Sequence, residues 1–269
     1  MEAHQNEELW RSLLTGENPK LRQGRRLFAF FPTPDTQTAR CKMCLSPFEG
    51  FTAPIVRTSF GRRRWERCPY YCDVCENVLL NNPGGTELDT ALLFADMRGS
   101  TRLATKMGPS EFSRLMQRFY STATRVLTRH NGYIDKLIGD EVMALFIPAM
   151  SGAHIARDAV LAAREILSAT GHDEGKPWLP LGVGVHSGSA FVGSVGSAAG
   201  IYEMTALGDT VNMAARFASA AAQGEVVMSE TTYRASGVDW AAERKSLQLK
   251  GYEVPIDARV FRSGSAVSA

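Results

Sequence analysis

Leu92-Leu93-Phe94-Ala95-Asp96-Met97-Arg98-Gly99-Ser100-Thr101 is an apolar strand pattern that ends on a carboxylate and passes straight into a turn and a helix start. A second stretch, Tyr133-Ile134-Asp135-Lys136-Leu137-Ile138-Gly139-Asp140, repeats the theme of an apolar strand followed by an aspartate. Two carboxylates held by adjacent strands can chelate a pair of divalent cations about 3.5–4 Å apart, the arrangement used for phosphoryl and nucleotidyl transfer. The turn after Asp96 adds free backbone N–H groups at a helix N-terminus, Gly99 to Thr101, which favour phosphate. Taken singly, each aspartate is equally explained as a turn former, and the turn as an ordinary helix start.

A third stretch changes that balance. Gly208-Asp209-Thr210-Val211-Asn212-Met213-Ala214-Ala215-Arg216 reads as a helix with Asp209 as its N-cap. Asn212 and Arg216 are four apart and share a face, while Val211, Ala214, Ala215 and Ala218 serve the packed side. An amide and a guanidinium projecting together suit a substrate that gains negative charge.

In this order, Phe94 to Thr101, Lys136 to Asp140 and Gly208 to Arg216 resemble the class III nucleotidyl cyclase catalytic domain, and Val183-Gly184-Val185-His186-Ser187-Gly188 between them is similar to it too. The resemblance runs from about Glu87 to Arg262. It implies an α+β, ferredoxin-like or palm-like domain with a central, mainly antiparallel sheet and flanking helices. It further implies that Asp96, Asp140 and the Met97 carbonyl hold two Mg²⁺ or Mn²⁺ ions. Lys136 and Thr205 would read the base, Asn212 would position the ribose and Arg216 would stabilise the transition state. Gly99, Ser100 and Thr101 would cradle phosphate, and Lys250 stands where the family often places a phosphate-binding lysine. Thr205 departs from the aspartate of many adenylate cyclases, and matches a branch that includes bicarbonate-responsive enzymes. Ile201 or its neighbours stand where many relatives carry a cation facing the triphosphate.

Hydrogen-bonding chemistry separates the two bases. Adenine offers an N1 acceptor and a 6-amino donor; Lys136 has donors only, and the Thr205 hydroxyl can accept. Guanine reverses both edges and would want a carboxylate where Lys136 stands. An unpaired buried polar group costs roughly 1–3 kcal/mol, so two mismatches favour ATP by roughly 10²–10⁴-fold. The expectation is an adenylate cyclase, with a guanylate cyclase or a catalytically silent nucleotide-binding regulator as alternatives. Lys136 and Asp140 sit on one hairpin yet serve opposite ends of ATP. In the family a head-to-tail homodimer resolves this, one chain giving Asp96 and Asp140, the other Lys136, Thr205, Asn212 and Arg216.

The chain has 269 residues, 44% hydrophobic and 22% charged, enough for a domain plus a smaller one. Net charge is +2, which argues against a global pull towards nucleic acid or membrane. No apolar run approaches ~18 residues, so no transmembrane helix is expected. The acidic N-terminus has no signal-peptide pattern, and a cytoplasmic protein is the expectation.

All five cysteines lie between Cys41 and Cys75. Cys41-Lys42-Met43-Cys44 and Cys72-Asp73-Val74-Cys75 are two C-x₂-C knuckles that could form a Cys₄ zinc-ribbon-like site holding one structural Zn²⁺. An iron–sulfur cluster is the alternative, with Cys68 as a spare thiol, and disulfides are a weaker one in a reducing compartment. Cys68 otherwise reads as a free thiol. Gly61-Arg62-Arg63-Arg64-Trp65-Glu66-Arg67 is basic with an aromatic; arginines beside a Cys₄ zinc site would offset its net charge of about −2, which is favoured over a nucleic-acid surface.

The expected organisation is an N-terminal part, 1–80, with an amphipathic helix around Glu7 to Leu14; a linker, 81–87, marked by Asn81-Asn82-Pro83-Gly84-Gly85; a catalytic domain, 88–263; and a frayed tail, 264–269. Within the domain, strands are expected at Leu92–Asp96, Leu181–Val185 and Phe191–Val195, and a hairpin at 133–147. Helices are expected around Phe112 to Leu127, over Ala153–Ala169 and from Asp209. His186 reads as structural.

Overall fold

Trp10 and Leu14, one helical turn apart, are the buried face of α1 (Glu2–Thr15), the amphipathic segment expected near the N-terminus. The computed structural model describes residues 2–36, 38–66, 69–197 and 201–264. The expectations for Cys68 and for the tail beyond Gly264 lie outside them, as does the side chain of Ile201. The chain divides into two units: Met1–Leu88, Ile147–Gly152 and Phe191–Leu207, and Asp89–Phe146, Ala153–Ala190 and Gly208–Ala269.

In the first unit, α1 is followed by α2 (Pro19–Ala29), α3 (Ala53–Phe60) and α4 (Asp73–Leu80). The Asn18 side chain caps α2 by accepting from Lys20 and Leu21 N–H, and Pro19 follows at the position that loses no hydrogen bond. Gly61, at φ 65°, closes α3. Indole Nε1 of Trp10 donates to the Asn82 carbonyl at 2.8 Å, and Asn6 Nδ2 to that of Pro83 at 3.0 Å. Of these helices the sequence reading includes α1 alone; α2, α3 and α4 are additions made by the structure.

Beyond them run β1 (Gly84–Met97), α5 (Ser100–Lys106), α6 (Pro109–Arg129), β2 (Tyr133–Ile138), β3 (Glu141–Phe146), α7 (Pro148–Ser151), α8 (Ile155–Ala169), β4 (Leu181–Ser197), β5 (Ile201–Leu207), α9 (Asp209–Ala220), β6 (Glu225–Ser229), α10 (Glu230–Ser236), β7 (Glu243–Leu247) and β8 (Ile256–Arg262). The sheet order is β2-β3-β1-β4-β6-β8-β7, with β5 on β4. Among the described pairings β4–β6 is parallel and the others antiparallel. This is the expected α+β class. On one face of the sheet, α6 and α8 bury Phe119, Leu127, Val160 and Ile166 against Leu93, Ala144, Phe146 and Val185. Each such large side chain contributes about 1.5–3 kcal/mol by leaving water.

Four sequence readings need correction. β1 begins at Gly84, inside the stretch read as a linker. A Cβ on Gly85 would lie 2.5 Å from the Phe191 ring and 2.7 Å from Gly193 Cα; one on Gly193 would lie 2.3 Å from the Gly84 carbonyl. These glycines permit two backbones to touch rather than a turn. The strands expected at Leu181–Val185 and Phe191–Val195 are one strand, β4; Ser187-Gly188-Ser189 does not break it. Asp209 does not cap α9, since Gly208 holds the cap position and Asp209 is the first helical residue. Helix α8 starts at Ile155, after a short 3₁₀ turn at Gly152–His154.

Candidate active site

The end of β1 carries Asp96 in register opposite Glu141 of β3. The β2–β3 turn is closed by Gly139 at φ 59°, and Met97 N–H donates to the Asp140 carbonyl at 3.1 Å, so the turn bearing Asp140 is tied to the residue after Asp96. Burial raises the Asp96 carboxyl, the adjacent Arg98 opposes this, and the Asp140 charge adds to the rise. Burial and the Asp96 and Asp140 charges push Glu141 up to about 7. The Arg98 guanidinium pairs with Asp96, and also reaches the Ser219 carbonyl at 3.4 Å. Crowded carboxylates whose ionisation is opposed by each other fit hard divalent cations, which take oxygen donors. Asp140, Gly139, Ser100, Thr101 and Phe112 line one concavity of about 480 Å³. Gly99 holds φ 69° at the head of α5. The structure therefore brings together the second aspartate and the turn read as a phosphate cradle.

Lys136 owes its direction to a bulge. Ile134 is paired with Ala144 and Lys136 with Met143, so Asp135 is an extra residue in β2. A one-residue bulge reverses the alternation of faces. Ile134 packs with the core containing Ala144, and Lys136 emerges with Met143 on the opposite face. Its ammonium is 2.9 Å from Asp135, whose side chain is fully buried. Thr205 lies on β5 opposite Gly193, 8% exposed.

Helix α9 buries Met213, Ala214, Phe217 and Ala218, leaving Asn212 exposed and Arg216 half-buried one turn further on. The packed side thus rests on Met213 and Phe217 more than on Val211 and Ala215, which are only half-buried. Leu249 and Tyr252 pack into the small cluster around Met213 and Phe217, which sets the exposed Lys250 beside α9. Tyr252 was missed in the sequence. Its hydroxyl donates to Asp209 at 2.6 Å, and burial, that bond and the Asp209 charge raise it to about 12, against the opposing Arg216. His186 Nδ1 is 2.8 Å from Ser229 Oγ and its ring meets Phe217 edge-on, a packing role. Among the described residues, no hydrogen bond or ion pair joins Asp96 or Asp140 to Asn212, Arg216 or Lys250.

Residues 86–257 match the adenylate and guanylate cyclase catalytic domain. The chain belongs to that family. An uncharacterized protein of Mycobacterium tuberculosis is 31% identical to this cyclase chain over 177 residues, 64% of it and 32% of the relative. An adenylate cyclase of Anabaena cylindrica is 32% identical over 130 residues, 46% of this chain and 26% of that protein. The chain thus spans about a third or less of these relatives. Among solved structures, the guanylyl cyclase Cya2 is 29% identical with a TM-score of 0.58, over 68% of this chain and 96% of that one. The adenylyl cyclase CyaB from P. aeruginosa is 25% identical with a TM-score of 0.59, over 66% and 96%. Cyclase domains of this family bind nucleotide, use divalent metals and typically work as dimers. No described helix is long and apolar enough to cross a membrane.

Ahead of the cyclase domain, the two knuckles converge. The sulfurs of Cys41, Cys44, Cys72 and Cys75 lie within 4.8 Å of one another, with Cys44–Cys72 at 3.7 Å and Cys41–Cys75 at 4.0 Å. A tetrahedral ion with bonds of about 2.3 Å needs sulfurs about 3.8 Å apart. The cluster could therefore hold a metal. Cys72 N–H points at Cys41 Sγ (3.3 Å) and Cys75 N–H at Cys72 Sγ (3.4 Å). Burial pushes the Cys41 thiol up, whereas bonds from its neighbouring thiols hold Cys44 down. Of the arginines expected beside the cluster, Arg62 is there, 3.3 Å from Cys44 Sγ and 3.6 Å from Cys72 Sγ. Arg64 instead pairs with Glu49 at 2.7 Å.

Proposed function

We propose that this chain is an adenylate cyclase, converting ATP to 3′,5′-cyclic AMP and pyrophosphate, with a catalytic body over 88–263 and a zinc-binding segment within 1–80. What supports the choice of ATP is the chemistry of the two residues that the family resemblance assigns to the base. Lys136 offers only donors, and the bulge turns it away from the core; Thr205 offers a hydroxyl. The relative in Anabaena cylindrica named an adenylate cyclase agrees with this reading.

Asp96, Asp140 and the Met97 carbonyl would hold two Mg²⁺ or Mn²⁺ ions, which when bound lower the pKa of the ribose 3′-hydroxyl and offset phosphate charge. Lys136 and Thr205 hold adenine, and Asn212 orients the ribose so that its 3′-oxygen faces the α-phosphate. As that oxygen bonds to phosphorus and the bond to the β-phosphate oxygen breaks, Arg216 meets the charge on the α-phosphate. Gly99 to Thr101 and Lys250 hold the phosphates that leave as pyrophosphate.

The aspartates share no polar contact with Asn212, Arg216 or Lys250 within the described chain. Lys136 and Asp140 sit on one hairpin yet serve opposite ends of ATP, which supports a homodimer in which each site takes its aspartates from one copy and its other groups from the second. Purified protein with Mn²⁺ and either ATP or GTP, scored for cyclic product, tests the reading. Cyclic GMP in preference to cyclic AMP would replace it with a guanylate cyclase, and no product from either would favour a silent nucleotide-binding domain.

A further inference from the structure

Residues 20–64 carry ten Lys and Arg against two acids, Asp35 and Glu49, a bias hidden by the chain's net charge of +2. Part of that charge is spent locally. The Arg40 guanidinium serves the carbonyls of Phe28 and Leu45, and Arg25 that of Ala149. What remains is concentrated. Arg57 on α3 and Arg62, Arg63 and Arg64 after Gly61 line one concavity of about 560 Å³, walled by Pro47, Phe48 and Pro54.

Among the described residues the one carboxylate in the lining is Glu49, and it is already engaged by Arg64 at 2.7 Å, Thr38 at 2.8 Å and Thr36 at 2.9 Å. Arg64 also lies over the Phe48 ring, 5.4 Å from its centroid, which fixes its plane. Arg62 is held from behind by the Cys44 and Cys72 sulfurs. The guanidinium groups of Arg57 and Arg63 have no hydrogen bond or ion pair among the described residues, and both residues are exposed. With Arg64 offset by Glu49 and Arg62 set against the sulfurs, Arg57 and Arg63 are left without a counter-charge among the described residues, and like charges in one hollow repel one another unless an anion joins them. Guanidinium forks match phosphate in bidentate geometry.

We propose that this hollow is a second anion site, outside the catalytic centre, that binds a small oligophosphate: adjacent phosphates gripped by Arg57 and Arg63, with Arg62 and Arg64 behind them. The compact extent of the hollow, one local concavity rather than a stripe, favours a free small molecule over a nucleic-acid backbone. Its volume lies within the about 300–1,000 Å³ of small-molecule sites, whereas nucleic-acid surfaces extend as basic stripes. Because Arg62 also faces the cysteine sulfurs, an occupant sits one side chain away from the cluster.

Titration calorimetry on the full chain with sodium tripolyphosphate, without added divalent cations, tests this. One saturable site per chain is expected, with orthophosphate at least ten-fold weaker. The double variant Arg57→Gln, Arg63→Gln should raise the Kd at least ten-fold, and Lys250→Ala should leave it unchanged. ATP binding at this site as tightly as tripolyphosphate in the Lys250→Ala variant would mark the phosphate chain as the recognised part. In the wild type, tripolyphosphate should shield Arg57 and Arg63 from phenylglyoxal, read by peptide mass spectrometry, so a poorly folded variant does not decide the matter. Unshielded arginines, an unchanged Kd in a folded double variant, or tighter binding of a twelve-residue oligothymidylate would overturn the proposal, the last in favour of a nucleic-acid surface.

Discussion

Asp96 and Glu141 stand directly opposite each other across β1 and β3, so a third carboxylate faces a proposed metal ligand. Burial and its two acidic neighbours push Glu141 up to about 7, against the opposing Arg98. Asp96→Ala or Asp140→Ala should lose at least about 10²-fold in turnover with Mn²⁺ while folding normally, since each removes a donor from ions that hold the reacting groups. Near-normal turnover in either variant would discard the two-aspartate assignment.

Base choice should rest on Lys136. In Lys136→Glu a carboxylate would face adenine N1, acceptor against acceptor. ATP turnover should fall at least about ten-fold, since one unsatisfied group costs roughly 1–3 kcal/mol. The readout is the ratio of cyclic AMP to cyclic GMP formed, and an unmoved ratio would remove Lys136 from the base.

Sharing of the site between copies has its own signature. Asp96→Ala and Arg216→Ala are each expected to be inactive. Mixed together, about half the dimers pair one of each, and one of their two sites escapes both lesions, so activity should recover to about a quarter of wild type. Mixed dimers seen by native mass spectrometry without recovered activity would place each site within a single chain.

Metal analysis of protein purified without chelator should find about one zinc per chain. Cys44→Ser should lose it and lower the melting temperature, because a small segment depends on its metal for stability. Iron with visible charge-transfer bands would point to a cluster instead.

His186 is buried against Phe217 and bonded to Ser229, and burial lowers its pKa below the ordinary value despite the nearby Asp209 charge. With the folded value depressed, its stabilisation is full above about 6.5 and is lost as pH falls through that value towards the folded one. Glu76 and Glu141, pushed up to about 7 by burial, gain stability over the same range and oppose this loss, so the readout is a difference: between pH 7.5 and pH 5.5 the melting temperature of the wild type should fall relative to that of His186→Gln. A His186→Gln variant with an unchanged pH profile but no turnover would make the residue catalytic rather than structural.

The residues proposed for catalysis were legible through the family resemblance because their residue types and spacing are local. Asp96, Asp140 and the Asn212–Arg216 pair announce themselves by residue type and spacing, and the α6 stripe from Phe112 to Leu127 by its period. What stayed hidden depends on partners distant in the chain. Nothing near Gly85 says that Gly193 will lie against it, so Gly84-Gly85 reads as part of a linker. Ser187-Gly188-Ser189 looked like a break because its outward neighbours were unknown. Tyr252 gains its role only when Leu249 docks beside Phe217. The arginine hollow needed α3 and the segment after Gly61 to be folded against Phe48 before four separate cations became one feature.

The extra residue in β2 has an evolutionary reading. Loss of the single codon for Asp135 would restore an even ladder and leave Lys136 opposite Met143, but it would remove the buried carboxylate that holds the Lys136 ammonium at 2.9 Å, while Asp96, Asp140 and α9 kept their sequence unchanged. A lineage could therefore retune its nucleotide site, or fall silent, by an in-frame deletion far smaller than a redesign of the metal centre.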